Sequence, residues 1–169
     1  MRYFRTDDSV EKLSFKNKHS TYFDIKAHIK EGSILAYNPH HRESRAPVKV
    51  INGVTKVVLQ PNFRMEIPTG LVFSIPVKYH LRVTPNTDFS FKWGVSLLDG
   101  MQVFDNDYTE EIKLILYNFS DTPVHINNGD VIGRAVLNKV LDYDLDETDR
   151  KVAVKAFETK TTEKTKDDE

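Results

Sequence analysis

Cysteine is absent from this chain, so any chemistry rests on carboxylates, imidazoles, hydroxyls and guanidinium groups; disulfides, thiolate metal sites and thiol nucleophiles are excluded. The densest candidate stretch is Val103-Phe104-Asp105-Asn106-Asp107-Tyr108, which puts two carboxylates and a phenol within four residues. A carboxylate is an acceptor at neutral pH and can hold one water in line for attack. Aspartate is also an ordinary turn residue, so Asp105 reads both ways. Asp24, in Tyr22-Phe23-Asp24-Ile25, reads equally as a site residue or as a surface residue of a strand. His40-His41 beside Glu43 suggests a metal site at first sight, but adjacent histidines in an extended segment point to opposite faces, which favours a solvated loop. No phosphate-binding glycine loop, HExxH pair or nucleophile elbow is present.

The elements that must carry these residues read as β-strands. Helical periodicity is almost absent, and the middle of the chain is a series of short apolar or alternating runs punctuated by turn residues. Lys56 to Leu59 runs into Gln60-Pro61-Asn62, and Phe63 to Ile67 ends at Pro68-Thr69-Gly70. Leu71, Phe73 and Ile75 alternate before Pro76, and Tyr79 to Thr84 runs up to Pro85. Ile112, Leu114 and Leu116 alternate with their neighbours, Val124 to Ile126 meets Asn127-Asn128-Gly129-Asp130, and Val131 to Val140 makes a long final strand. Spacings of roughly 8–12 residues per strand and turn predict an all-β sandwich or barrel. Asn52-Gly53 between β-formers predicts a type I′ hairpin inside an insertion spanning 32–55.

Length 169 fits one domain with a tail, read as an N-terminal segment 1–19, a β domain 20–142 and a charged tail 143–169. The tail is too poor in apolar residues to offset its ordering entropy, and disorder is expected from about residue 156. A net charge of -1 with 29% charged residues gives no electrostatic reason to expect a nucleic-acid or membrane partner. No run approaches the ~20 apolar residues of a membrane span and the start lacks a signal-like apolar core, so a cytoplasmic location is the expectation.

From Ser20 to Val140 the sequence resembles the homotrimeric dUTPases. Thr21-Tyr22-Phe23-Asp24-Ile25-Lys26-Ala27 is similar to the first motif, with Tyr22 where the family has Gly. Ile67-Pro68-Thr69-Gly70-Leu71, Ile75-Pro76 and Tyr79 follow the family's wording between motifs one and two. Val103 to Ile112 resembles the third motif, Leu116 to Asp121 continues it, and Gly129-Asp130-Val131-Ile132-Gly133 resembles the fourth. The resemblance implies a distorted jelly-roll β domain with one short helix after the second motif. It implies a homotrimer whose pockets draw residues from more than one chain, and hydrolysis of dUTP to dUMP and pyrophosphate with Mg²⁺ held mainly by triphosphate and water. By position, Asp105 falls on the base that orients the attacking water, and Tyr108 on the aromatic under the deoxyribose. Asp24 falls on the carboxylate that orders metal-bound water. Asp107 is read as serving the turn and subunit contacts.

Departures from the pattern bear on the same chemistry. The second motif reads Pro85-Asn86-Thr87-Asp88-Phe89, so Thr87 keeps a hydroxyl, Asn86 lacks the usual positive charge and Asp88 adds a negative one beside the phosphates. Arg134 replaces the fourth motif's Gln, which could return the missing cation from another strand; an exposed sheet Arg is the alternative. In the base-binding stretch 99–104, which includes Val103, Gln102 stands for Gly, where a Cβ crowds the base or alters the backbone dihedrals, and Asp99 stands where some relatives have Asn. An acceptor there hints at an amino-bearing base such as cytosine. The Gly-rich fifth motif has no counterpart; Arg150 and the lysines after it offer charge without glycine. The Arg-Ser-Ser stretch of dCTP deaminase, which shares the fold, is missing. The alternative to a dUTP hydrolase is therefore a catalytically degenerate member of the fold that binds a nucleotide or a protein.

Overall fold

The computed structural model describes residues 1–141 together with 145 and 147. The tail boundary, Arg150 and the expectation of disorder lie outside them. Among the described residues there are thirteen strands and one short helix, as an all-β chain with one helix requires. The strands are β1 (Arg2–Arg5), β2 (Phe23–Lys26), β3 (Ser33–Tyr37), β4 (Glu43–Pro47), β5 (Lys49–Ile51), β6 (Val54–Leu59), β7 (Arg64–Ser74) and β8 (Tyr79–Pro85). After helix α1 (Thr87–Trp93) come β9 (Val95–Leu97), β10 (Gln102–Phe104), β11 (Glu111–Asn118), β12 (Val124–Asn127) and β13 (Val131–Lys139).

Three antiparallel sheets result. One runs β4-β3-β7-β11-β9 with β1 also on β7, the second runs β10-β8-β13-β2, and the third is β12-β6-β5. The period-2 pattern explains which face of each strand is buried. On β11, Ile112, Leu114 and Leu116 are buried while Lys113 is exposed. On β8, Leu81 and Val83 are fully buried, which turns His80, Arg82 and Thr84 to the other face. These residues join Ile25, Leu59, Met65, Ile67, Leu97 and Ile126 in one continuous core.

Two sequence expectations meet a different outcome. Pro68-Thr69-Gly70, read as a turn, lies inside the eleven-residue strand β7. The ladder survives because Glu111 on the neighbouring strand replaces what the distortion removes: its Oε1 accepts from the amides of Thr69 at 3.1 Å and Gly70 at 2.6 Å. Thr69 Oγ1 donates to the Ile112 carbonyl at 2.7 Å. Gly70 sits at φ 69 with Val10 and His28 where a Cβ would be, so only glycine fits the bend. The stretch 32–55 is the second case. It does not stand on the main sheet as one unit; β3 and β4 extend the β7 sheet, and β5 pairs with β6 in the third. Asn52 and Gly53 both have positive φ, 53° and 76°, as a type I′ turn demands.

The N-terminal residues are tied down by charge. Asp7 accepts from Lys30 Nζ at 2.5 Å and pairs with the buried His28 Nε2 at 3.0 Å. Lys30 first, then Ser9, hold its carboxyl far below the ordinary value of 3.8.

Candidate functional site

The sheet β10-β8-β13-β2 gathers the segments that resemble motifs one, two and four. β13 pairs with β2 on one side and β8 on the other, which places Arg134 directly between Asp24 and Thr84. A register shift between Val131 and Gly133 precedes it; such a bulge re-aims the following side chains. Arg134 then alternates with buried Ala135, so its guanidinium leaves the core face. Its Nε lies 3.8 Å from Asp24 Oδ1, its Nη2 lies 3.5 Å from Asp88 Oδ2, and its Cζ sits 5.0 Å from the Tyr22 ring centroid. Asp24 also borders a cleft of about 390 Å³ that includes Lys12, Lys26 and Asn128.

Gly133, just before Arg134, is forced by packing. A Cβ there would lie 2.9 Å from Leu114 Cδ1 and from Val83 Cγ1. At the helix start, Asn86 is buried and its side-chain oxygen accepts from the Phe89 amide at 3.0 Å. That is an N-cap, so the residue read as a substrate contact has its oxygen committed to α1. Thr87 opens the helix and Asp88 follows with its side chain 91% exposed.

The Asp105 turn is a separate region. β10 pairs with β8 so that Phe104 opposes Leu81, which in turn opposes Leu137 of β13. Asp105 thus starts one step beyond the level of Leu137, while Arg134 is three residues back along that strand. The offset is roughly 13 Å along the strands and about 10 Å across them. The Tyr108 amide donates to the Asp105 carbonyl at 3.2 Å, closing a tight turn. Asp105 and Asp107 are exposed, and neither carboxylate engages a described side chain.

Tyr108 is half-buried. Its ring meets Phe104 edge to face at 5.0 Å and its hydroxyl donates to the Glu111 carbonyl at 3.2 Å. Burial first, then the nearby Glu110, raises its phenol pKa. Gln102 reaches across to β11 of the neighbouring sheet, where its Oε1 accepts from the Ile115 amide at 3.1 Å. The side chain that replaces glycine therefore braces β10 against β11. Asp99 and Val103 are exposed in the same stretch, which crosses from β9 in one sheet to β10 in another.

Two residues carry more than their sequence context suggested. Glu111 supports the β7 bend, and Tyr22 supports Arg134. Tyr22's signal was its place in the glycine position of the first motif, two residues before Asp24 and so on the same strand face.

A jelly-roll-like β domain with these segments on one sheet defines the class of the dUTPase superfamily. The family model described as dUTPase matches residues 51–162. Deoxyuridine 5'-triphosphate nucleotidohydrolase of Finegoldia magna is 36% identical over 100 residues, which cover 56% of this chain and 70% of that protein. The chain belongs to the dUTPase family. Its fold is similar to that of dUTPase from Staphylococcus bacteriophage 80alpha solved with dUPNHPP, with TM-score 0.66 and 14% identity over 88% of each chain. It is equally similar to a mutant dUTPase from phage phi11 of S. aureus whose structure reveals coordination of a structural Mg(II) ion, with TM-score 0.66 and 14% identity over 88% of this chain and 96% of that one.

Proposed function

We propose that the protein hydrolyses dUTP to dUMP and pyrophosphate, removing dUTP and supplying dUMP. A water held by Asp105 gives a proton to its carboxylate as the oxygen bonds to the α-phosphorus, the bond from that phosphorus to the α,β-bridging oxygen breaks, and pyrophosphate leaves. An exposed carboxylate at the start of a tight turn suits this role, because it is open to solvent and can accept from a bound water. Tyr108, fixed by Phe104 and by its own hydroxyl bond, offers a rigid aromatic platform under the sugar, where a 2′-hydroxyl is rejected by shape. Thr87 and Arg134 face the phosphates.

The observation that carries the reading is the convergence of Asp24, Asp88 and Arg134 from three distant segments. A cation lost from the second motif is supplied beside the same helix start by the fourth. A charge-assisted contact of this kind is worth about 1.5–3 kcal/mol.

The site is split within one chain, which supports a homotrimer in which one subunit's Asp105 turn meets another's Arg134 sheet. Among the described residues, the buried side-chain polar atoms without a hydrogen-bond partner are Arg82 Nε, Arg134 Nε and Asn138 Oδ1, Arg134 Nε having only the longer ion pair with Asp24. All three belong to β8 and β13 at positions that alternate with core residues, and so share one sheet face. Unpaired buried groups cost about 1–3 kcal/mol each, and a second copy lying on this face relieves that cost.

Mg²⁺ binds through one or two carboxylates, phosphates and retained water. Asp24, with its side chain 41% exposed, fits a water-mediated contact. When bound, the ion neutralises phosphate charge.

The test is pyrophosphate release from dUTP, dCTP, dTTP and UTP with Mg²⁺. Turnover of dUTP that disappears in Asp105→Ala is expected. A wild-type protein that turns over none of the four sinks the reading and leaves a binding module.

A further inference from the structure

Arg134 is held on three sides, and the holders differ in kind. Asp24 is its cross-strand neighbour, locked by the β2–β13 register. Tyr22 shares Asp24's strand face and lies 5.0 Å from the guanidinium carbon. Asp88 comes from the helix start, 3.5 Å from Nη2, with its side chain 91% exposed against 26% for Arg134. A contact between a half-buried guanidinium and a fully solvated carboxylate is weak, since solvent screens it and the carboxylate loses rotamer freedom to make it. The aromatic contact is of another sort, because the ring face attracts the cation without occupying its N–H donors. Arg134 therefore keeps its Nη donors for a ligand, provided the outer carboxylate moves aside.

The two departures from the family pattern also touch. Tyr22 stands where the first motif has Gly, and Arg134 where the fourth has Gln. A glycine at position 22 would leave the guanidinium without a floor.

Resting on the dUTPase reading above, we propose that Tyr22 is a positioning residue that aims Arg134 at the substrate's phosphates, and that Asp88 is the resident counter-ion that a phosphate displaces. Removing the floor weakens phosphate capture; removing the counter-ion strengthens it. The two changes act with opposite signs on one cation, which a general loss of structure cannot imitate.

Inorganic tripolyphosphate serves as the probe, bound to the intact protein and followed by calorimetry, so the result does not depend on hydrolysis. Arg134→Gln weakens binding about tenfold, and Tyr22→Leu about fivefold, with Tyr22→Phe recovering most of the loss. Asp88→Asn tightens binding about threefold. In dUTP turnover the Tyr22→Leu effect falls in KM rather than in kcat. The inference is overturned if wild type does not bind tripolyphosphate, if Arg134→Gln or Tyr22→Leu binds it as wild type does, if Tyr22→Phe loses as much as Tyr22→Leu, or if Asp88→Asn fails to tighten. Arg134-dependent tripolyphosphate binding by a protein that hydrolyses no dUTP leaves this inference standing and removes the catalytic reading.

Discussion

The Arg134 cluster and the Asp105 turn sit on the same four-stranded sheet and are built in opposite ways. The first is interlocked: its cation is fixed by strand register, an aromatic ring and two carboxylates. The second is open: a turn closed by one backbone bond, with an exposed carboxylate that makes no hydrogen bond or ion pair to a described side chain. Groups that bind charge gain from being held in advance, because no reorganisation is then needed when the ligand arrives. A base that must hold a water needs room, which an exposed turn leaves it.

That contrast yields predictions with separable readouts. Replacing the open carboxylate strikes chemistry and spares stability: Asp105→Asn lowers dUTP turnover by about 10²–10⁴-fold with an unchanged melting temperature. A large fall in melting temperature would break the comparison, since it would make Asp105 a structural residue. Behind both regions, Glu111→Ala strips the partner from two amides in β7, with a loss of about 2–4 kcal/mol in denaturant unfolding. Gly133→Ala presses a methyl against Leu114 and Val83 and destabilises by about 1–3 kcal/mol; a neutral result would mean that the Arg134 strand can shift freely. Asn86→Ala removes the helix cap and costs about 1 kcal/mol.

The smallest effect concerns the N-terminal tie. Asp7 titrates below its ordinary value in the folded protein, so its contribution to stability is complete above about pH 4 and fades as pH falls lower. The difference in urea midpoint between wild type and Asp7→Asn should be present at pH 7 and shrink on acidification. A difference that grows on acidification would reverse the sign of the argument.

Much of the fold was legible because burial on one face writes a period of two into β8 and β11. The β7 bend was not, because Pro68-Thr69-Gly70 is turn chemistry locally and only a carboxylate some forty residues away keeps it in the ladder. The site was legible in its members and not in its geometry. Asp24 was named from the motif it matches, and Asp88 and Arg134 from the residues they replace, but their meeting depends on a bulge in β13 that no local pattern announces. Asn86 was read through the charge it lacks, whereas its amide oxygen caps a helix. Gln102 was read as crowding a base, whereas the side chain folds back onto Ile115.

Mixing two inactive variants tests the shared site most directly. Subunits carrying Asp105→Ala and subunits carrying Arg134→Gln are unfolded together, refolded together and assayed for dUTP turnover. If one chain's turn serves another chain's cation, about a quarter of the sites in a one-to-one mixture combine both intact residues, and activity reappears well above either variant alone. A mixture no more active than its parents would contradict the account.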